Sequence, residues 1–217
     1  MAVQLKKRSR SVKEAYGRLM DRTDAKFRDL AKELADNSID PNEWHTQFDQ
    51  LLYELHRDAH AYGRKLADAS AASSIDFDGV AARIAVNLES GWMQGFLSDL
   101  HTQDPRYYDE DGNLQVDPVQ ERMRWYAQKS RGTANEAFVS YSPDETEWEW
   151  VDTGGPFECD DCRYLAEGSP YTKHTLPTHP GQNDTPCLFH CECHLKRLSD
   201  DETGFMPHAF SPLDAAA

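Results

Sequence analysis

The stretch ETEWEWVDT, residues 145–153, sets Trp148, Trp150 and Asp152 on one side of an alternation and Glu147, Glu149 and Val151 on the other. A period of two suits a strand, whose successive side chains point to opposite faces. The residues before it keep a different rhythm, and those after it are rich in Gly, Pro, Cys and His. The change of period near residue 146 divides the chain into a helical body over 1–143, a Cys-rich module over 144–198 and an acidic, Pro-punctuated tail over 199–217. The expected fold class is α+β, mainly α.

Upstream, contact-capable positions recur in steps of three and four: Val12, Tyr16, Leu19, Thr23, Phe27, Leu30 and Leu34, then Trp44, Phe48, Leu51, Leu55, Ala59, Tyr62 and Leu66. Such spacing lays an apolar stripe along one face of a helix. Asp40-Pro41 is a start signal, because the aspartate can cap and proline tolerates the first helical position. The short NSIDP turn makes the two helices an antiparallel hairpin. A third helix is expected from Phe77 to His101, burying Val80, Ile84, Leu88, Trp92, Phe96 and Leu100. A loop with two Asp-Pro steps and an Asp-Gly follows. A fourth helix then opens at Asp117-Pro118 and ends before Pro143, with Val119, Met123, Tyr126, Ala134, Ala137, Phe138 and Tyr141 inward. These stripes read as core packing rather than as a cofactor groove.

The formal net charge is −15, unevenly spread. Residues 1–28 hold nine Lys/Arg and three Asp/Glu, a local +6, which leaves −21 for the remainder. So acidic a body repels phosphate backbones and is not expected to bind nucleic acid over a broad surface. Contact with DNA is expected only through the basic N-terminal arm, with Lys6, Lys7, Arg8, Arg10 and Lys13; a solvated helix start explains the same residues. No run approaches the 18 or so apolar residues of a membrane span. The N-terminus lacks the apolar stretch and cleavage site of a secretory signal, so a reducing compartment is expected.

Five cysteines follow the strand: Cys159 and Cys162 in ECDDC, then Cys187, Cys191 and Cys193 in TPCLFHCECHLKRL. An odd number in a reducing compartment favours metal ligation over disulfides. Zinc takes four soft or borderline ligands, commonly as close pairs from two chain segments. Here 24 residues separate Cys162 from Cys187, a loop between two halves of a zinc-ribbon-like β module. Four of the five thiols are expected to bind Zn²⁺ as a structural ion, with His190 as a substitute; which one stands outside is open. A module this small has too little apolar surface to hold itself, and zinc contributes on the order of 10 kcal/mol to such folds.

His190-Cys191-Glu192 and Cys159-x-x-Cys162 imitate the H-x-E and P-C-x-x-C of nucleic-acid deaminases. Their order is reversed, and Pro156 is not adjacent to Cys159. The histidines also lack the strand-helix setting of an HNH nuclease. Phosphate-binding, dinucleotide-binding, nucleophile-elbow and H-E-x-x-H motifs are all missing. No catalytic residue is assigned.

The helix RGTANEAF, the strand WEWVDT, C-x-x-C-x-x-L-x-x-G-S-P-Y and LPTHPG-x-x-x-T-x-C-x-x-x-C-x-C-x-L together resemble the C-terminal part of tailed-phage head morphogenesis proteins, the minor head proteins of the Mu F type. The likeness covers roughly residues 117–198. It implies a virion component, assembled in the host cytoplasm and associated with the portal or the procapsid interior, in several copies. The family's cysteine positions fall on Cys159, Cys162, Cys187, Cys191 and Cys193, and its loop on Leu176, Pro177, Pro180 and Gly181. Many relatives read Asn-Cys-Arg-Cys where this chain has His190-Cys191-Glu192-Cys193, which argues against DNA contact at this loop.

The expectation is a non-enzymatic head protein whose helices pack against portal protein, major capsid protein or sister copies, with no membrane. The rigid LPTHPG loop and Tyr171 would form a contact surface. Four exposed or half-exposed tryptophans would suit an interface, and core packing would suit most of them equally well. The alternatives are a DNA-contacting packaging or ejection factor, a zinc-dependent hydrolase or deaminase, and a cellular zinc-ribbon adaptor.

Overall fold

The structure, a computed structural model, describes residues 2–67, 76–152, 159–182, 184–187, 191 and 193–199, with side chains from Glu14 onward. Helices α1 (Ala2–Ala35) and α2 (Pro41–Ala67) form the hairpin. The side chain of Asp40 accepts from the Asn42 and Glu43 amides at 2.8 and 2.9 Å, which satisfies two orphan donors of the helix start. Tyr16 meets Tyr62 and Phe27 meets Phe48, ring centroids 5.9 and 5.5 Å apart, so the two helices run antiparallel. The α1 stripe from Tyr16 to Leu34 is buried throughout, as expected. On α2, Trp44, Phe48, Leu55 and Ala59 are buried, while Leu51, Tyr62 and Leu66 are half-buried. Val12 and the basic side chains of the arm lie outside the described side chains.

Helix α3 (Phe77–His101) exists where the spacing places it, but it turns a different face inward. Val80, Ile84, Leu88 and Trp92, expected in the core, are 54%, 57%, 78% and 67% exposed. Phe96 and Leu100 are buried as expected, and Ala82, Val86, Glu89 and Met93 take the inward positions of the other four. One reason is electrostatic. Asp78 accepts from His60 and Arg64 of α2 at 2.6 and 2.5 Å, and Glu89 meets Lys129 at 3.1 Å. Both ion pairs hold this buried face of α3 against its neighbours.

The fourth expected helix is two: α4 (Val116–Gln128) and α5 (Ser130–Ser140), broken at Lys129. Asp24 of α1 receives Arg124 of α4 at 2.5 and 2.6 Å. Helix α5 lies so close to α2 that a Cβ on Gly63 would sit 2.0 Å from the Ala134 carbonyl oxygen.

Strand β1 (Trp148–Val151) pairs antiparallel with β2 (His194–Arg197), from Trp148↔Arg197 to Val151↔His194. Helix α6 (Asp160–Glu167) lies between them in sequence. Tyr171 exchanges backbone hydrogen bonds with Trp148 at 2.7 and 2.8 Å on the strand's other edge. It is half-buried, with its hydroxyl donating to the Leu165 carbonyl, so it serves the packing of this module rather than an open contact surface.

A two-stranded sheet is marginal by itself. This one presses Trp148 and Trp150 into the interior: Trp148 meets Phe138 of α5 at 4.8 Å, and the Arg197 guanidinium covers the Phe138 and Trp148 rings at 4.7 and 5.4 Å. One contiguous core runs from Tyr16 through these tryptophans to four of the cysteines. Trp44, Trp148 and Trp150 are thus fully buried and Trp125 half-buried; Trp92 alone of the five is exposed. Among the described residues no helix is long and apolar enough to cross a membrane.

Candidate metal centre

Cys159 is the residue before the first turn of α6, with extended backbone, and Cys162 follows within that turn. The first cysteine pair therefore sits on a helix start rather than on the β-turn of a ribbon. A helix N-terminus favours thiolate, because its free amides carry partial positive charge. Asp160 and Asp161 point outward and are exposed, so they contribute nothing to the interior of the site. The second segment arrives from the Pro-rich loop: Cys187 ends a turn, and Cys191 and Cys193 lead directly into β2.

All five sulfurs come together. Cys159, Cys162 and Cys187 form one close group and Cys162, Cys191 and Cys193 another, each within 4.8 Å, with Cys162 common to both. Cys162 Sγ lies 3.5 Å from Cys187 Sγ and 3.9 Å from Cys191 Sγ. A tetrahedron of sulfurs with bonds of about 2.3 Å has edges of about 3.8 Å, so this spacing fits a thiolate-bound metal ion. All five are free thiols. Cys162, Cys187, Cys191 and Cys193 are buried and Cys159 half-buried, a closed site.

The thiols sit close enough to set one another's protonation. Hydrogen bonds from Cys162 and Cys191 hold the Cys193 thiol down at about 4, and the Trp150 indole adds to that effect. Cys162 is pushed far up, because it shares protons with Cys191 and Cys193 and their like charge opposes its own. Burial pushes Cys187 up to about 11. At Cys159 burial works against ionisation, yet hydrogen bonds at Cys162 and Cys187 outweigh it and the thiol falls. Several thiols crowded into one pocket cannot all ionise unless a cation neutralises them. The donor set therefore fits a metal ion on both spacing and charge.

Helix α5 braces the site. The buried Arg131 guanidinium donates to the carbonyl of Cys191 and, at 3.2 Å, to that of Cys193. One turn on, Asn135 Nδ2 donates to the Pro180 carbonyl at 2.9 Å. Between them Gly132 lies against Gly181, which takes a positive φ of 85°. Thr185 Oγ1 contacts Cys187 Sγ at 3.2 Å. Arg131, Gly132, Asn135 and Thr185 were not singled out by spacing or chemistry; their only signal was membership of RGTANEAF and of the loop pattern.

Of the loop residues, Pro180 and Gly181 are buried, Leu176 is half-buried and Pro177 exposed. His179 bonds to Gln182 at 3.2 Å and is lowered by burial, and His174 is exposed; among the described residues no histidine joins the sulfur groups. His190 and Glu192 lie outside the described residues. Comparison with models of known protein families, with curated proteins and with solved structures finds no match to this chain.

Proposed function

We propose that this chain is a structural protein of a tailed-phage head, acting in capsid assembly or at the portal, and that a zinc ion bound by four of its five cysteines fastens the C-terminal module to the helical body. The single observation that carries the reading is the convergence of the motif residues. RGTANEAF forms α5, and through Arg131, Gly132 and Asn135 it grips the cysteine segment and the LPTHPG loop that the resemblance joins in sequence. Residues that mark the family likeness thus make one interlocked unit rather than scattered coincidences.

Zinc is favoured over other ions by the all-sulfur donor set and by its indifference to redox state. A buried set of sulfurs leaves no open position for an activated water, which supports a fastening role over hydrolysis or deamination. The exposed helical faces supply the surface for portal protein, major capsid protein or sister copies.

Two measurements test the proposal. Elemental analysis and X-ray absorption on the purified chain should give one zinc per chain in a four-sulfur shell. Mass spectrometry of purified proheads and virions should find the chain in at least one of them. Absence from both particles removes the head assignment, whatever the metal result.

A further inference from the structure

Helix α3 presents Phe77, Val80, Ile84, Leu88 and Trp92 to solvent, 47% to 78% exposed, in steps of three and four. These side chains expose roughly 600 Å², at the upper end of the largest apolar patch on a typical monomer. The face is also nearly neutral. From Val80 to Ser98 the exposed residues include one charge, Arg83, which is already engaged by Asp49 at 3.3 Å and stacked on Tyr53 at 4.5 Å. Gly91 and Gly95 lie on the same face, with nothing among the described residues within 4 Å of where a Cβ would be. Glycine weakens a helix interior, and packing among the described residues gives these two no role.

The stripe is complementary to itself. Lay a second α3 antiparallel on the first, with the twofold axis beside Val86. Phe77 then stands opposite Gly95, Val80 opposite Trp92, Ala81 opposite Gly91 and Ile84 opposite Leu88. One register places the large ring over the bare glycine backbone and pairs the remaining apolar side chains edge to edge. Twofold contacts use the same patch on both partners. Two such faces together reach roughly 1,200 Å², the lower bound of a specific interface. The pairing also brings no like charges face to face along this stripe, which limits the local repulsion between two chains of net −15.

We infer that α3 is a homodimer interface, two copies of the chain packing antiparallel through Phe77, Val80, Ile84, Leu88 and Trp92 against each other, Gly91 and Gly95. The inference is independent of the metal centre. Analytical ultracentrifugation of the full chain should show a reversible monomer–dimer equilibrium. Leu88→Glu, at an exposed position, should leave helix content unchanged and weaken dimerisation at least ~100-fold by burying carboxylates against Ile84. Ile84→Glu should do the same because it meets Leu88. Mixing Leu88→Glu with Ile84→Lys should restore a heterodimer, since only the antiparallel register brings the introduced carboxylate of one chain to the introduced amine of the other.

A wild-type chain that stays monomeric at several hundred micromolar overturns the inference. So does a dimer indifferent to both glutamate variants, or a chain that dimerises only after removal of residues 200–217, which would make its own C-terminal segment the occupant of this face.

Discussion

Gly132 of α5 and Gly181 of the Pro-rich loop touch backbone to backbone: a Cβ at residue 132 would lie 2.7 Å from the Gly181 carbonyl oxygen and 2.8 Å from its carbon. Neither atom is the end of a flexible side chain, so the loop must move to admit a methyl group. Gly132→Ala should therefore destabilise the protein by about 1–3 kcal/mol, even though alanine favours the helix by up to ~1 kcal/mol. Thermal unfolding monitored by circular dichroism checks this. An unchanged or raised melting temperature would mean the loop is not seated on α5.

Cys162 is the sulfur that both close groups share. Replacing each cysteine by serine in turn should give unequal results. Cys162→Ser should abolish metal retention, because it removes the sulfur that joins the two groups. One of the other four variants should retain a stoichiometric ion and thereby identify the thiol outside the set. Metal-to-protein ratios after dialysis report this. Retention of a full ion by Cys162→Ser would refute the geometry.

Arg131 touches the sulfur site only through the backbone, by holding the Cys191 and Cys193 carbonyls. Such supporting partners are commonly worth 10–100-fold in metal affinity. Arg131→Met should weaken zinc binding by about that factor in competition with a chromophoric chelator. The loss should exceed that of Lys173→Met, whose amine pairs with Asp144 at the module's outer edge.

Glu89 and His56 make opposed contributions to pH dependence. Burial raises Glu89 from 4.5 to about 7 against the pull of Lys129. Between those values the native state holds a proton that the unfolded state releases, so stability falls as pH rises. Burial lowers His56 from 6.5 to about 4, helped by Lys129. Here the unfolded state takes the proton, so stability rises with pH. Each amounts to roughly 3 kcal/mol over its full range, and between pH 4.5 and 6.5 they offset one another. Glu89→Gln should make stability climb with pH across that window relative to wild type, and His56→Gln should make it fall. Urea midpoints at several pH values check both signs.

The helical hairpin was legible because α1 and α2 are polar on all but one face, so period and orientation follow from the same residues. Helix α3 was legible in extent and not in orientation. It is apolar on two faces, and a stripe read in steps of four through Ile84, Leu88 and Trp92 meets the buried face only at Phe96 and Leu100. What decides the matter is pairwise: Asp78 with Arg64 and Glu89 with Lys129, contacts between helices that no single-segment pattern encodes. The break at Lys129 carries no proline or adjacent glycine to announce it. The cysteine centre was visible as a set of thiols, since only a few arrangements satisfy so many in so short a span. Its support by Arg131 was not, because one arginine in a helix looks like any other until the loop is folded onto it.

The pairing of β1 with β2 has a consequence for synthesis. Beyond the single bridge from Trp148 to Tyr171, the strand at Trp148–Val151 pairs along its length with His194–Arg197, and Cys191 and Cys193 immediately precede that partner. On the ribosome the five helices from α1 to α5 emerge first and can collapse while the thiols downstream are still unmade. The clasp shuts last, after nearly the whole described chain has left the exit tunnel, so a prematurely terminated product would carry the helices and Trp148 with nothing to close over them.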